Sequence, residues 1–246
     1  MRRPPASPRA SPPGRRRDRG RQGILFDLDG TLLDHRGAAD AAITAWLEAR
    51  SPGHPRLGEA AALWAGFEVP YLAMWHAGRC SWQEQRRLRL SALCAELAVA
   101  VPADLDAAYE DFAGRYRKGW AAFPDVALAL AGLGGFTLGV LTNGTQRVQE
   151  EKVHAIGLDG LVGPVLTGEV LDGRFKPAPA CYEGAAAALG LRPREVLLVG
   201  DDVRNDVTGP AAAGMRSVWL DRLGAEPPPA GFPHITSLTE LPGLLG

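Results

Sequence analysis

Short apolar runs alternate with helical patterns along most of the chain. Residues 24–28, 137–141, 162–166, 196–199 and 217–220 are rich in strand-forming side chains, long enough for buried strands and too short for helices. Most are followed by a polar or glycine-rich turn and then by helical spacing, as at 146–156, 180–189 and 205–213. Strand, turn and helix in repetition predict an α/β fold, a Rossmann-like parallel sheet core with helices on both faces. Ligands of such sheets bind beyond the carboxyl ends of the strands.

Residues 36–120 break this rhythm. They are rich in Ala, Leu, Glu and Arg, contain no convincing strand, and place Leu90, Leu93, Cys94 and Leu97 at helical spacing, with Pro52, Gly53, Pro55 and Pro102 as punctuation. The expected organisation is an α/β core from 24–35 and 121–246, with a helical insertion at 36–120 after the first strand. Residues 225–233, rich in proline, read as a connection.

Composition changes this picture at one end. The chain has 246 residues, of which 46% are hydrophobic, so a sizeable core is expected. Its net charge of -1 is unevenly spread: residues 1–23 hold eight arginines and one aspartate, and the remainder is mildly acidic. An acidic body argues against a general nucleic-acid binder. The arginine tail has the composition of a nucleic-acid or anionic-membrane contact, and loosely that of a transit peptide. It has no apolar periodicity, which excludes a secretory signal, and is read as a disordered extension. No apolar run reaches the ~20 residues of a membrane span. Cys80, Cys94 and Cys181 form no metal or disulfide pattern, so reduced thiols and a cytoplasmic protein are expected.

Candidate chemistry lies where the apolar runs end. The first run enters DLDGT, with Asp27 and Asp29 two residues apart. On a strand such residues face the same way, so the two carboxylates are expected to converge, with Leu28 turned to the core. Neighbouring carboxylates repel, which points to a metal, a shared proton, or both. Gly30 permits a sharp exit, and the Thr31 hydroxyl is placed to bond backbone groups freed there. An Asx-type turn would use the same residue types.

The second run ends in Thr142, Asn143 and Gly144, whose hydroxyl, amide and backbone N–H groups suit a phosphoryl oxyanion, or equally a helix N-cap. Lys176 precedes Pro177, which biases it toward an extended loop from which it can neutralise carboxylates and phosphate. It is one of only three lysines, with Lys118 and Lys152. A further run ends in Gly200, followed by Asp201, Asp202 and Asp206. Clustered oxygen ligands suit Mg²⁺; a helix start decorated with acids accounts for Asp202 or Asp206, but less readily for the whole set.

In this order, DLDGT, LTNG, KP and GDDVRND resemble the four motifs of the haloacid dehalogenase superfamily, over nearly the whole chain from Gly23 onward. The insertion resembles the helical cap of its phosphatase-rich branch. The one departure is Asp202, where many members carry serine.

The resemblance implies a phosphohydrolase acting on a small phosphorylated metabolite: a sugar phosphate, a sugar-acid phosphate or a nucleoside monophosphate. Asp27 would attack phosphorus to form an aspartyl-phosphate. Asp29 would protonate the leaving alcohol and then activate water. Mg²⁺ would be held by Asp27, the Asp29 backbone carbonyl and Asp201. Thr142 and the Asn143 backbone would bind phosphate oxygens, Lys176 would steady the nucleophile, and Asp206 would position Lys176 or a metal-bound water.

Relatives that remove halide resemble the chain at the nucleophile but need neither Mg²⁺ nor a second acid, so Asp29 favours phosphate chemistry. A phosphomutase uses both aspartates. A phosphonate hydrolase would want a cap lysine, and Lys118 lies near the cap exit. A non-catalytic or nucleic-acid-associated protein is the alternative of another class; the presence of Asp27, Asp29 and Asp201 argues against lost turnover. For substrate contact the cap offers Trp75, Arg79, Trp82 and Arg86, at spacings of three or four that could share one helical side, together with His35 and Arg36 near the hinge.

Overall fold

A computed structural model describes residues 22–224, 227 and 229–245. The arginine tail predicted at 1–23 lies outside these residues up to position 21. Gly23 already belongs to a strand, and Thr137 N–H donates to the Gln22 carbonyl. The Pro-rich stretch at 225–233 is described only in part.

The core is built from strands β1 (Gly23–Phe26), β2 (Thr137–Leu141), β3 (Val165–Leu166), β4 (Val196–Gly200), β5 (Arg216–Leu220) and β6 (His234–Ile235). They form one six-stranded sheet in the order β3-β2-β1-β4-β5-β6, and every pairing is parallel. The order reverses between β1 and β4, which opens a crevice beyond their carboxyl ends.

Alternation along the strands makes two cores. Ile24 and Phe26 face one side with Val140, Val199 and Val218, covered by Val126 and Leu130 of α5 (Val126–Ala131) and Val153 of α6 (Gln146–Ala155). Leu25 faces the other side with Leu141 and Leu198, against Tyr182, Ala185 and Ala186 of α7 (Pro179–Ala188). Both faces are therefore buried, as a parallel sheet requires.

Between β1 and α5 the chain forms four helices: α1 (His35–Arg50), α2 (Ala60–His76), α3 (Trp82–Glu96) and α4 (Leu105–Lys118). They share an apolar core of their own. On α1 the buried positions Ala39, Ala42, Ile43, Trp46 and Leu47 follow the stripe of an amphipathic helix. Leu90, Leu93, Cys94 and Leu97 meet them from α3 and its C-cap. A capping box between Ser81 and Glu84 starts α3, and the Asp34 side chain caps α1.

Three of the expected elements depart from their expected bounds or type. β1 stops at Phe26 rather than 28, because Leu28 O accepts from the N–H groups of Thr31, Leu32 and Leu33 and the chain turns. The strand expected over 162–166 is regular only at Val165–Leu166, since Pro164 has no N–H for a ladder. The helix expected over 205–213 is a π-type turn, Val203–Thr208, followed by the short α8 (Gly209–Ala212). A short helix α9 (Leu241–Leu244) closes the described chain. No described helix is long and apolar enough to cross a membrane.

Candidate active site

Asp27 follows β1 directly and is buried; its N–H still pairs with the Val199 carbonyl of β4. The Lys176 ammonium lies 2.7 Å from Asp27 Oδ1 and 2.7 Å from Asp206 Oδ1. The Lys176 loop is fastened by Asn143: its Nδ2 donates to the Lys176 carbonyl, and Lys176 N–H donates to Asn143 Oδ1, both at 2.9 Å. Asp206 Oδ2 accepts from Asp202 N–H at 3.1 Å, inside the π-type turn. Asp202 itself caps that turn, accepting from Asn205 N–H at 2.6 Å. Asp201 lies over Gly30, with its carbonyl held by Trp219 Nε1 at 2.9 Å.

Oxygen atoms of Asp27, Asp201 and Asp206 fall within 4.8 Å of one another. Burial raises the Asp27 carboxyl well above its ordinary range; Lys176 opposes this, and the charges of Asp206 and Asp201 reinforce it. Burial likewise raises Asp206 against the pull of Lys176. Burial in the crevice and then the charge of Asp206 push Asp201 up to about 7, with Lys176 opposing them. Lys176 sits between two carboxylates that outweigh its own burial and strengthen its hold on its proton.

Asp29 is placed differently from the strand expectation. The regular strand ends at Phe26, with Asp27 N–H still paired to β4, and the carboxylates crowding Asp27 are Asp201 and Asp206. Asp29 has its own lysine: Lys152 Nζ, buried on α6, lies 2.7 and 2.6 Å from its two oxygens. Gln149, one turn earlier, donates through Nε2 to Asp29 Oδ2 at 3.2 Å and to Thr142 Oγ1 at 2.8 Å. Burial would raise the Asp29 carboxyl, but Lys152 and then His35 outweigh it and hold it below the usual range. Thr142 N–H belongs to the sheet, donating to the Leu166 carbonyl. The Thr31 hydroxyl, expected to bond freed backbone, has no partner among the described residues.

A chain of polar contacts runs from Asp29 into the helical insertion. His35 Nδ1 lies 3.8 Å from Asp29 and 2.5 Å from the Tyr116 hydroxyl, while His35 Nε2 reaches Glu68 at 3.1 Å. Arg89 donates to the other Glu68 oxygen at 2.9 Å. Beside this chain a cavity of about 460 Å³ separates insertion from core, with Asp29, Asn143 and Lys152 on its core side.

Of the expected cap residues, His35, Trp82 and Arg86 line this cavity. Trp75, Arg79, Trp82 and Arg86 do not share one helix: α2 ends at His76 and α3 begins at Trp82, with Arg79 exposed in the turn between them. Trp75 packs instead on Trp82 and on Phe175, beside Lys176, with ring centroids 4.7 and 5.3 Å apart. Arg36 pairs with Asp40 at the surface, and Lys118 is exposed outside the cavity lining. Sequence reasoning missed Lys152 and Gln149, and on the insertion Glu68, Gln85, Arg89 and Tyr116. A signal existed for the first: the scarcity of lysine that drew attention to Lys176 applies equally to Lys152.

Comparison with known proteins agrees with this architecture. The family model for haloacid dehalogenase-like hydrolases matches residues 22–214. The phosphoserine phosphatase of Thermus thermophilus is 36% identical over 235 residues, covering 84% of this chain and 92% of its own. A phosphoglycolate phosphatase of Salmonella typhi is 30% identical over 208 residues, 81% of each chain. Among solved structures, the magnesium-bound HAD-hydrolase YfnB of Bacillus subtilis superposes with a TM-score of 0.75 at 22% identity, over 92% of this chain and 98% of its own. The L-2-haloacid dehalogenase of Xanthobacter autotrophicus gives 0.73 at 23% identity over the same shares. Sequence match and fold together place the chain in the family of haloacid dehalogenase-like hydrolases.

Proposed function

We propose that this hydrolase is a Mg²⁺-dependent phosphomonoesterase that releases phosphate from a small metabolite through an aspartyl-phosphate on Asp27. The observation that carries the reading is the separate support of the two aspartates. Asp27 faces Lys176 and two further carboxylates, whereas Asp29 faces Lys152 and the cavity. Displacement of halide from carbon has no use for the second acid. Relatives named for phosphoserine and phosphoglycolate hydrolysis support phosphate as the group removed.

The acid cluster suits Mg²⁺. Both Asp206 oxygens are engaged, by Lys176 and by Asp202 N–H, which leaves Asp27 and Asp201, with the Asp29 carbonyl, to hold the ion. The raised proton affinities of Asp27 and Asp201 mark a place where a cation relieves repulsion. Gly30, at φ +90°, lets Asp201 close over the first turn; a Cβ there would meet the carboxylate at 2.2 Å. When bound, the ion supplies Lewis-acid polarisation of the phosphate and screens it from Asp27.

The protein's own groups do the rest. Asp27 forms a bond to phosphorus as the ester P–O bond breaks, and the departing oxygen takes its proton from Asp29. Water then attacks the aspartyl-phosphate and gives a proton back to Asp29; the bond between Asp27 and phosphorus breaks and phosphate leaves. Lys152, with His35, keeps Asp29 ionised at rest; a phosphate entering beside Asp29 offsets that field and raises its proton affinity, so that Asp29 takes up from solvent the proton it gives to the departing oxygen. The Thr142 hydroxyl, the Asn143 backbone and Lys176 receive the phosphate oxygens. The helical insertion serves as the cap that excludes water and receives the leaving group. Three free cysteines accord with a reducing, cytoplasmic setting.

The test is phosphate release by the full chain from p-nitrophenyl phosphate, sugar phosphates and nucleoside monophosphates, with Mg²⁺ or with EDTA. Release should require Mg²⁺ and fall about 10⁴-fold or more in Asp27→Asn. A folded protein that binds Mg²⁺ and releases phosphate from none of these esters would sink the hydrolase reading.

A further inference from the structure

Helix α3 carries two stripes. One, Leu90, Leu93 and Cys94, enters the core of the insertion. The other, Trp82, Gln85, Arg86 and Arg89, follows the i, i+3, i+4, i+7 spacing of a single helix face, and all four residues line the cavity. A face so placed would ordinarily carry apolar residues; this one carries an amide and two guanidinium groups.

Their hydrogen bonding is incomplete. Gln85 is 1% exposed, yet its Oε1 has no partner among the described residues, and neither has Arg86 Nε nor Arg89 Nε. An unsatisfied buried polar atom costs about 1–3 kcal/mol, so the two guanidinium donors, Arg86 Nε and Arg89 Nε, one turn apart, call for an acceptor; the Gln85 oxygen, itself an acceptor, does not count toward an anion. Both guanidinium groups are also held in place: Arg86 stacks over Tyr109 and Arg89 over Trp64, each 4.0 Å from the ring centroid.

Charge around the cavity is unbalanced at one end. Lys152 is matched by Asp29, Arg89 by Glu68 and Arg147 by Glu151. Arg86 and Arg117, both lining residues, share a single carboxylate, Glu110. One positive charge is left over, on the α3–α4 side.

We propose that the α3 stripe, with Arg117, is a subsite for an oxyanion on the leaving group, so that the preferred substrates carry a carboxylate or a second phosphate besides the ester to be cleaved. Arginine suits either group through its planar pair of donors. This inference rests on the phosphatase reading for its substrate and on the cavity alone for its anion.

The experiment compares kcat/KM for 2-phosphoglycolate against ethyl phosphate, and for 1,3-propanediol bisphosphate against propyl phosphate, in Mg²⁺. Binding of phosphonoacetate and ethylphosphonate is measured beside it by calorimetry. The doubly anionic member of at least one pair should be favoured about tenfold or more, through KM, and phosphonoacetate should bind correspondingly tighter than ethylphosphonate. Which pair shows the preference separates carboxylate from phosphate. Arg86→Gln should abolish it, and Arg117→Gln should reduce it; the second variant serves if the first does not fold. Equal use of charged and neutral esters, or a preference untouched by both variants, would overturn the subsite while leaving the hydrolase intact. Selective binding without turnover would uphold the subsite and reject the hydrolase.

Discussion

Asp27 and Asp29 are two residues apart and live in different parts of the molecule. Every group around Asp27 comes from the α/β core: the loop of Lys176, the turn after β4 and the end of β1 itself. Asp29 has Lys152 from the core on one side, and on the other a line of contacts through His35, Tyr116, Glu68 and Arg89 of the insertion. The first site is complete when the sheet is complete. The second also draws on the insertion, through His35 beside Asp29. Burial pushes Asp27 up, whereas at Asp29 Lys152 and His35 together overcome burial, so two identical side chains shift in opposite directions.

This division can be broken in graded steps. Lys176→Met leaves Asp27 and Asp206 buried and uncompensated. It should cost about 3–5 kcal/mol in urea unfolding, partly recovered on adding Mg²⁺, with activity lost. No loss of stability would mean that Lys176 does not hold the cluster together. Lys152→Met should lower kcat about 100-fold while Mg²⁺ affinity, read by calorimetry, stays as in the parent. A parallel fall in Mg²⁺ affinity would show that the two sites are one.

Glu68 sharpens the comparison through pH. Burial would raise its carboxyl, but Arg89 and His35 together outweigh burial and hold it far below the ordinary 4.5. A depressed folded value gives stability that is full above the unfolded pKa and lost as pH falls below it. Glu68→Gln should therefore be less stable than the parent at neutral pH by about 1–3 kcal/mol, and the two unfolding curves should converge in acid. A gap that does not close on acidification would assign the effect to packing instead. At the small end, Arg79→Ala should move stability by less than about 0.5 kcal/mol and leave KM unchanged, because Arg79 is exposed and outside the cavity lining. A change in KM would show that the turn between α2 and α3 reaches substrate.

Legibility in the sequence followed the range of the interactions. The buried strands announced themselves because a parallel sheet covered on both faces needs continuous apolar runs. β6 did not: it is two residues long, beyond a Pro-rich stretch, and takes its strand character from pairing with β5. The acids at the ends of β1 and β4 were readable from turn chemistry and charge. The partner of Asp29 was not, since Lys152 stands 123 positions away and only the packing of α6 against the sheet brings it close. On the insertion, counting from Trp75 to Arg86 assumed a continuous helix and so joined residues that a turn separates. The working stripe begins at Trp82 and continues to Arg89, and the capping box of Ser81 and Glu84 was its local marker.

Sequence alone determined the alternation that builds the sheet, the two amphipathic faces that give the insertion its own core, and the placing of Asp27, Thr142 and Asp201 just beyond strand ends. These follow from local periodicity and backbone chemistry, which act within a few residues. The tertiary structure decided which cation meets which carboxylate, that Asp29 leaves the strand, and that the charged stripe of α3 faces a cavity. Such pairings arise only when distant segments share a desolvated volume, where an ammonium within hydrogen-bond reach opposes the burial that would otherwise neutralise an acid.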